Sequence, residues 1–364
     1  MSAQTAEANW FAGRGENPFE LRLQVFLTLI EKAESGSQFS RREAEEAAEE
    51  LLSGRVETQE IARLLAAMRA REYSVDEVVG FARVMRRHAQ PVFTESVRAP
   101  EMLVDTCGTG GDGSDTFNIS TTAAFVVAGA GARVAKHGTR SVSSRCGSAD
   151  VLEALGARIQ IPFERMAMSI NEVGIGFLFA LAAHTAMRYA MPARKQLGGR
   201  TIFNLLGPLT NPAGASAQVL GVFSAEVVEL EARALAELGT RRAFVVHGEG
   251  GLDEISLSGK TRIAEVRNGS VRVSHVAPED FGVGRAPKEA LRGGDAAENA
   301  AVIRRILDGE VGPRRDIVLI NAAAALVAAG IADDFREGVA LAARAIDTGA
   351  ARDKLSQFVD FTNA

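Results

Sequence analysis

The stretch Asp105–Gly113 reads DTCGTGGDG and directly follows the apolar residues MLV at 102–104. An apolar run that ends in a glycine-rich loop is typical of the carboxyl end of a buried strand. Each glycine held in an ordered segment costs about 0.5–1 kcal/mol relative to alanine. The next residues, SDTFNISTTAAFVV at 114–127, predict a helix that begins just after the loop. The density of glycine therefore indicates that something must approach a bare backbone between this strand and this helix.

Composition limits the possible classes of protein. The chain has 364 residues, of which 46% are hydrophobic and 24% charged, and its net charge is −5; this is ordinary for a globular protein of two domains or one large domain. The negative charge argues against nucleic acid or an anionic membrane as the main partner. Two cysteines, Cys107 and Cys146, predict reduced thiols and a cytoplasmic location. We expect no secretory signal and no membrane span.

The spacing of apolar residues predicts two kinds of structure. Residues 17–90 show helical spacing and predict four short helices, with capping boxes at Ser40/Glu43 and Ser74/Glu77 and a further cap at Thr58. After residue 100, short apolar runs alternate with helical stretches, which is typical of parallel βαβ crossovers. Strands are predicted at 102–106, 132–136, 157–161, 218–223 and 242–248, and helices at 120–130, 148–155, 225–239, 296–308 and 317–331.

The fold class is therefore α/β, with a small all-helical domain and a larger α/β domain that contains a mainly parallel sheet. The helical domain is predicted at 1–95 and is completed by helices at about 163–200. The α/β domain is predicted at 96–364.

Two strand ends carry groups that suit a phosphate. At the first, the bare backbone N–H groups and the start of the following helix attract an anion. Polar side chains at that helix start are Thr116, Asn118, Ser120 and Thr121. At the second, AKHGTRSVSSRCGSAD at 135–150 concentrates basic residues and serines. The glycine loop alone is more typical of an ordinary tight loop, and the second segment alone could be a solvated loop. Two such strand ends together favour a polyphosphate site.

The segment HGEGGLDEIS at 247–256 places Asp253 and Glu254 after another predicted strand. By itself, such a pair is typical of an exposed turn. Mg²⁺ binds through a few carboxylates together with substrate phosphates. Beside a phosphate site, the pair therefore indicates a magnesium site.

The motifs GTGGD, NIST, KHG, GSADVLEALG, RTIFNLLGPLTNP and LDE occur in this order along the chain. Together they resemble the anthranilate phosphoribosyltransferase family of tryptophan biosynthesis, over most of the sequence. The resemblance implies a nucleoside phosphorylase-like fold with substrates in a cleft between two domains, and a homodimer. It also implies transfer of the 5-phosphoribosyl group from phosphoribosyl pyrophosphate (PRPP) to the amine of anthranilate, with one or two Mg²⁺ ions.

The same resemblance assigns the site residues. The PRPP site would comprise Gly108, Gly111, Asp112, Thr116, Asn118, Ile119, Ser120, Thr121, Lys136, His137, Gly138, Thr139, Arg140, Ser141, Val142, Ser143, Ser144 and Ser148. Magnesium would be held by Ser120, Asp253 and Glu254, and anthranilate by Gly108, Thr139 and Arg194. The sequence nominates no strong general base. His137 is an alternative, although a lone histidine in such a loop more often only forms hydrogen bonds.

Two positions depart from the family pattern, and both lie on the acceptor side. The family has KHGNR where this chain has KHGTR, so Thr139 replaces an asparagine that contacts anthranilate. It has LFAP where this chain has LFAL, so Leu181 replaces a proline. Threonine offers one hydroxyl but not the reach of an amide.

Three alternatives therefore stay open. The acceptor is another small aromatic amine, or the chain is a divergent paralogue that binds phosphoribosyl compounds or nucleic acid without turnover. The third alternative is a pyrimidine-nucleoside phosphorylase, which the intact GTGGD, KHG and LDE motifs disfavour.

Overall fold

The computed structural model describes residues 18–141 and 145–364. Its helices are α1 (Pro18–Glu34), α2 (Arg41–Leu52), α3 (Thr58–Arg69), α4 (Val75–His88), α5 (Ile119–Gly129), α6 (Ser148–Ala154), α7 (Phe163–Glu172), α8 (Ala180–Ala183), α9 (Met191–Leu197), α10 (Phe203–Leu209), α11 (Val227–Glu237), α12 (Ala296–Leu307), α13 (Pro313–Ala328), α14 (Phe335–Asp347) and α15 (Ala350–Asn363). Its strands are β1 (Val104–Gly108), β2 (Val134–Gly138), β3 (Ile175–Phe179), β4 (Ala217–Gly221), β5 (Arg242–Gly248), β6 (Thr261–Arg267) and β7 (Ser270–Val276). Short 3₁₀ helices cover Thr185–Tyr189, Pro278–Phe281 and Lys288–Leu291. None of the described helices combines the length and apolar character needed to cross a bilayer.

The chain divides into two compact units. Of the described residues, 18–88 join 185–203 in one unit, and 89–141 and 145–184 join 204–364 in the other. The first unit contains α1–α4 and α9, as the helical spacing of 17–90 predicts for its first four helices.

The predicted helix caps of this unit are mostly correct. Ser40 and Glu43 form a reciprocal capping box at the start of α2. Ser74 and Glu77 do the same for α4, with the Ser74 N–H donating to Glu77 Oε2 at 2.9 Å and the Glu77 N–H to Ser74 Oγ at 3.1 Å. The cap predicted at Thr58 is wrong, because Thr58 is already the first residue of α3 and the preceding glutamate occupies the N-cap position.

The second unit is built on a seven-stranded sheet in the order β3-β2-β1-β4-β5-β6-β7. Strands β1–β5 are parallel, and β6 and β7 are antiparallel. The mainly parallel sheet is therefore confirmed. Almost every residue of β1–β4 is buried, as parallel crossovers require. The chain adds β2 and β3 on one side of β1 and then β4 and β5 on the other, so a ligand crevice is expected at the carboxyl ends of β1 and β4.

The strand predicted at 157–161 is wrong. Ala157 and Ile159 are buried, but the segment is irregular and pairs with no strand of the described chain. The third strand is β3 at 175–179, whose uninterrupted apolar run lacks the alternation that separates a strand from a helix. Consequently residues 163–184 lie in the α/β unit, and of the section predicted at 163–200 only residues 185–200 join the helical unit.

The prediction also missed several elements: α10, the β6–β7 hairpin, α14 and α15. The hairpin turn is Asn268-Gly269, and both residues have positive φ, 48° and 82°. Asparagine-glycine between two alternating runs is a strong hairpin signal. This hairpin was therefore readable from the sequence.

Glu231 on α11 is fully buried (0% exposed), and neither of its carboxylate oxygens has a hydrogen-bond partner among the described residues. Burial raises the pKa of this carboxyl well above its ordinary value of 4.5. The folded protein therefore keeps the proton at pH values where the unfolded chain has lost it, so this group reduces stability progressively as pH rises above that ordinary value.

We expect Glu231→Met to raise the free energy of unfolding by about 1–3 kcal/mol, because an unpaired buried polar group is removed. The gain should be larger at about pH 8 than at about pH 5. Urea unfolding at both pH values measures it. Glu229→Met on the same helix is the control, because Glu229 is 40% exposed and pairs with Arg233. A gain that is the same at both pH values would contradict the assignment to Glu231 ionisation.

Candidate active site

The glycine-rich loop leaves β1 beside the end of β4. The Thr109 N–H donates to the Gly221 carbonyl at 2.8 Å, and the Phe223 N–H donates to Thr109 Oγ1 at 3.0 Å. These bonds tie the loop to β4 at the point where the strand order reverses. Gly110 and Gly113 have φ of 63° and 66°, a left-handed conformation that only glycine adopts without cost. Part of the glycine density is therefore explained by backbone conformation.

The other part is explained by Asp253, which lies against the ends of both strands. Its Oδ2 accepts from the Gly110 N–H at 3.0 Å, and its own N–H donates to Asp112 Oδ2 at 3.4 Å. A Cβ on Gly108 would press on the Asp253 carboxylate, and a Cβ on Gly221 would overlap the Asp253 backbone. The glycines that end β1 and β4 thus make room for this aspartate.

Glu254 reaches the start of α5, where its Oε1 accepts from the Ser120 N–H at 3.0 Å. Burial and then the charge of Asp112 raise the pKa of Asp253 to about 7. Burial and then the charge of Asp253 raise the pKa of Glu254 to about 8. Desolvated carboxylates that repel one another favour a bound cation.

These acids suit a magnesium ion that also binds a substrate. Within 18–141 and 145–364, no group of three or more His, Cys, Asp or Glu side chains is placed to hold a metal by itself. Mg²⁺ commonly uses one or two carboxylates and completes its shell with water and phosphate oxygens. Asp253 and Glu254 therefore fit Mg²⁺ in the company of a phosphorylated ligand.

Lys136 on β2 is buried (2% exposed) and is not a surface anion ligand. Its Nζ donates to the Thr106 carbonyl and, at 3.3 Å, to Ser120 Oγ. Burial lowers the pKa of this lysine, while the charge of Asp105 opposes that effect. Lys136 is therefore a buried hydrogen-bond donor at the start of α5, next to the acids of the site.

Asp105 and Asn211 were missed as site residues. Asp105 is fully buried; its Oδ1 accepts from the His137 N–H at 3.0 Å, and its Oδ2 accepts from Asn211 Nδ2 at 2.8 Å. Asn211 Nδ2 also donates to the Ala135 carbonyl at 2.8 Å. Together these bonds join β1 to β2 directly and through Asn211. The acidic residue that follows the apolar run MLV was a sequence sign of a buried carboxylate, although it did not identify the partners.

His137 does not have the character of a general base. Its Nδ1 lies 3.1 Å from the Gly207 carbonyl, so this nitrogen carries the proton. Burial and then neighbouring His184, with ring centroids 5.3 Å apart, lower the pKa of His137 to about 3. The ring is therefore neutral and only weakly basic.

The loop after β2 carries the second group of predicted phosphate ligands. Arg140 forms ion pairs with Asp150 at 3.0 Å and Glu153 at 2.6 Å, so its charge is already matched by carboxylates. Ser148 Oγ accepts from Thr121 Oγ1 at 3.1 Å, which joins the starts of α6 and α5. The other predicted residues at the ends of β1 and β2 or the start of α5 are Gly111, Thr116, Ile119, Gly138, Thr139 and Ser141. Val142, Ser143 and Ser144 lie outside the described residues.

Two predicted acceptor-side positions have exposed side chains. Thr139 is exposed just beyond β2. Leu181 is 58% exposed on α8, directly after β3. Both follow carboxyl ends of parallel strands in the α/β unit.

Arg194 belongs to the helical unit, on α9. Its guanidinium lies over the Phe203 ring, 5.3 Å from the centroid, and burial lowers its pKa. Among the described residues, no carboxylate forms an ion pair with it. A half-buried guanidinium without an acidic partner is suited to bind a carboxylate ligand.

Fold and site together define a glycosyl transferase that carries a helical bundle domain and an α/β domain. The family models with these descriptions match residues 27–89 for the helical bundle domain and 100–352 for the α/β domain. The chain is 54% identical to the anthranilate phosphoribosyltransferase of Pelotomaculum thermopropionicum over 333 residues, which is 92% of this chain and 95% of the relative. It is 56% identical to that of Solibacter usitatus over 322 residues, 88% of this chain and 94% of the relative. The chain therefore belongs to the anthranilate phosphoribosyltransferase family.

Comparison with solved structures leads to the same family. The anthranilate phosphoribosyltransferase of Thermus thermophilus superposes with a TM-score of 0.87 at 47% identity, covering 92% of this chain and 99% of that one. The Saccharomyces cerevisiae enzyme in complex with PRPP and Mg superposes with a TM-score of 0.83 at 27% identity, covering 93% and 98%. The predicted family and fold class are confirmed.

Proposed function

We propose that this protein transfers the 5-phosphoribosyl group from PRPP to the amine of anthranilate, giving N-(5-phosphoribosyl)anthranilate and pyrophosphate. The observation that carries the proposal is the meeting of a glycine loop, a helix start and the Asp253–Glu254 pair at one strand end. This combination suits a pyrophosphate accompanied by a divalent cation. When purified protein is mixed with PRPP, Mg²⁺ and anthranilate, the fluorescence of anthranilate should decrease as anthranilate is converted. Omission of PRPP or of Mg²⁺ should prevent this decrease. Absence of turnover in the complete mixture would refute the proposal.

The proposed PRPP site uses backbone N–H groups of the loop 108–113 and the polar groups at the start of α5. Ser120, Asp253 and Glu254 would hold Mg²⁺, which supplies charge neutralisation of the pyrophosphate leaving group. The S. cerevisiae relative solved with PRPP and Mg supports the use of magnesium together with PRPP. The number of bound Mg²⁺ ions, one or two, stays a prediction.

The acceptor needs little chemical activation. An aromatic amine is neutral at about pH 7, so its nitrogen is already a nucleophile, and the chain mainly has to position it. His137, with a pKa of about 3, is a poor base and receives no catalytic role. Positioning and leaving-group stabilisation therefore carry the rate acceleration.

Arg194→Ala is expected to raise the KM for anthranilate about 10- to 100-fold, because a charged hydrogen-bond partner of the carboxylate is lost. The KM for PRPP should stay within about twofold, since the loop 108–113 is untouched. Steady-state kinetics with each substrate varied in turn measure the split. Arg63→Ala, an exposed residue paired with Glu34 in the same unit, is the control. Equal effects on both KM values would argue against a carboxylate contact.

A second candidate function is transfer to another small aromatic amine. Its support is the exposed Thr139, where the family carries asparagine, together with exposed Leu181. If anthranilate is the acceptor, Thr139→Asn should leave its turnover unchanged or improve its KM. If another amine is the acceptor, wild type should prefer that amine over anthranilate in competition, and Thr139→Asn should reverse the preference.

The remaining expectations stay predictions. They are the homodimer, the cytoplasmic location and the domain division between 95 and 96. Cys107 and Cys146 are buried thiols that form no disulfide with one another, which favours a reducing compartment. The net charge of −5 disfavours the nucleic-acid-binding alternative.

A further inference from the structure

Asn118 occupies the N-cap position of α5, but its side chain makes no capping hydrogen bond. An asparagine at this position normally accepts from an N–H of the first turn. Here its Oδ1 accepts from Asn299 Nδ2 at 3.0 Å, and its Nδ2 donates to the Cys146 carbonyl at 3.1 Å. The side chain therefore joins the start of α5 to the loop before α6 and to α12.

Asn299 lies in the first turn of α12 and is buried (1% exposed). Its Oδ1 accepts from the Gly294 N–H at 2.8 Å. The bonds thus run in one direction, from the Gly294 N–H through Asn299 and Asn118 to the Cys146 carbonyl. Because backbone groups stand at both ends, the side chain at 299 must accept on one side and donate on the other, which an amide does and a carboxylate does not.

The backbone before α12 holds the segment that precedes α5. The Phe117 N–H donates to the Leu291 carbonyl at 3.1 Å, and the Gly293 N–H donates to the Asp115 carbonyl at 2.8 Å. A Cβ on Gly293 would lie 2.6 Å from the Phe117 nitrogen, so this close approach requires glycine. Asp115 has φ of 51°, which non-glycine residues rarely adopt, and the bond from Gly293 supports it.

We propose that Leu291–Gly294 together with Asn299, the 291–299 clamp, positions the segment 115–121 for PRPP binding. The inference rests on the function proposed above, which places Thr116 and Asn118 in the PRPP site. Asn299 and Gly293 act through these neighbours, so both are positioning residues. A binding segment that is held in its bound conformation loses less conformational entropy when the ligand arrives, so removal of the clamp weakens the affinity for PRPP.

The test compares the two parts of the clamp, which are the side-chain amide bonds of Asn299 (the amide chain) and the backbone contacts of Leu291 and Gly293 (the backbone arm). Asn299→Asp keeps the size of the side chain but sets a carboxylate against Asn118 Oδ1. Gly293→Ala disturbs the backbone arm and leaves the amide chain in place; the φ of Gly293 is not positive, so alanine fits its conformation. Each variant is expected to raise the Kd for PRPP with Mg²⁺, measured by calorimetry, about tenfold or more, as loss of one buried hydrogen bond implies. The KM for anthranilate should stay within about twofold.

Thr362→Ala is the matched control for lost stability. This buried hydroxyl of α15 accepts from the Arg158 N–H at 3.1 Å, so its removal lowers the melting temperature but should leave the Kd for PRPP unchanged. An unchanged Kd for PRPP in both folded clamp variants, or an equal rise of the anthranilate KM, overturns the positioning role. If the wild-type protein does not bind PRPP, the proposed function is wrong. If the wild-type protein binds PRPP and both clamp variants bind it with the same Kd, only the positioning role of the clamp is wrong.

Discussion

Asp253→Asn is expected to lower kcat about 100-fold or more and to raise the Mg²⁺ concentration needed for half-maximal rate. Asparagine keeps the shape of the side chain and an oxygen that can accept from the Gly110 N–H, which lies 3.0 Å from Asp253 Oδ2. It removes the negative charge that, under the proposed assignment, would help to hold Mg²⁺ beside the pyrophosphate. Steady-state rates across a magnesium titration measure both effects, and Glu254→Gln should act in the same direction.

The stability of this variant separates lost function from misfolding. Asp253 lies close to the charge of Asp112, and this repulsion contributes to its raised pKa. Removing one of two repelling charges should therefore leave the melting temperature without metal unchanged or higher. Glu249→Gln is the matched control: it lies in the same connection after β5, and its Oε2 accepts from the Lys260 N–H at 3.2 Å. An unaltered magnesium titration in both Asp253→Asn and Glu254→Gln would contradict the metal assignment.

Gly221→Ala is expected to abolish detectable turnover and to destabilise the protein by about 3 kcal/mol or more, the upper range for overpacking. The new Cβ would overlap the Asp253 backbone carbonyl. Backbone on both sides cannot rotate away as a side chain can, so either β4 or the segment with Asp253 must move. Thermal unfolding and kcat/KM measure the two losses.

A glycine with open space around it provides the control for this substitution. Nothing lies within 4 Å of a Cβ built on Gly284, and its φ is not positive. Gly284→Ala should therefore be close to neutral in stability and activity. If Gly221→Ala behaved like Gly284→Ala, the close packing of Asp253 on β4 would be wrong.

The parts of the fold that the sequence predicted well have strong local signals. The first four helices show helical spacing, and α2 and α4 carry capping boxes. Strands β1 and β2 each begin with valine and end in glycine. The segment 157–161 was misread because its alternation of apolar residues arises from packing of Ala157 and Ile159 in the core. β3 was missed for the opposite reason, since a strand buried on both faces shows no alternation.

The candidate site also contains residues that the sequence predicted and residues that it did not. The glycine loop, the helix start after it and the Asp253–Glu254 pair were predicted from residue type and order. The roles of Asp105, Asn211 and Asn299 were not, because one buried carboxylate or amide in an apolar segment gives no local sign of its partner. Arg140 appeared as a phosphate ligand in the sequence, but in the structure it pairs with Asp150 and Glu153.

The order of small, polar and acidic residues by itself determined that this chain is an α/β protein with a phosphate-type loop, because backbone conformation and helix capping depend on near neighbours in sequence. Only the tertiary structure decided that Asp253, which is 145 residues from Gly108 along the chain, lies in the space that Gly108 and Gly221 leave free. Strand order in a parallel sheet is set by packing between distant segments, and it is this order that brings the acids to the glycine loop.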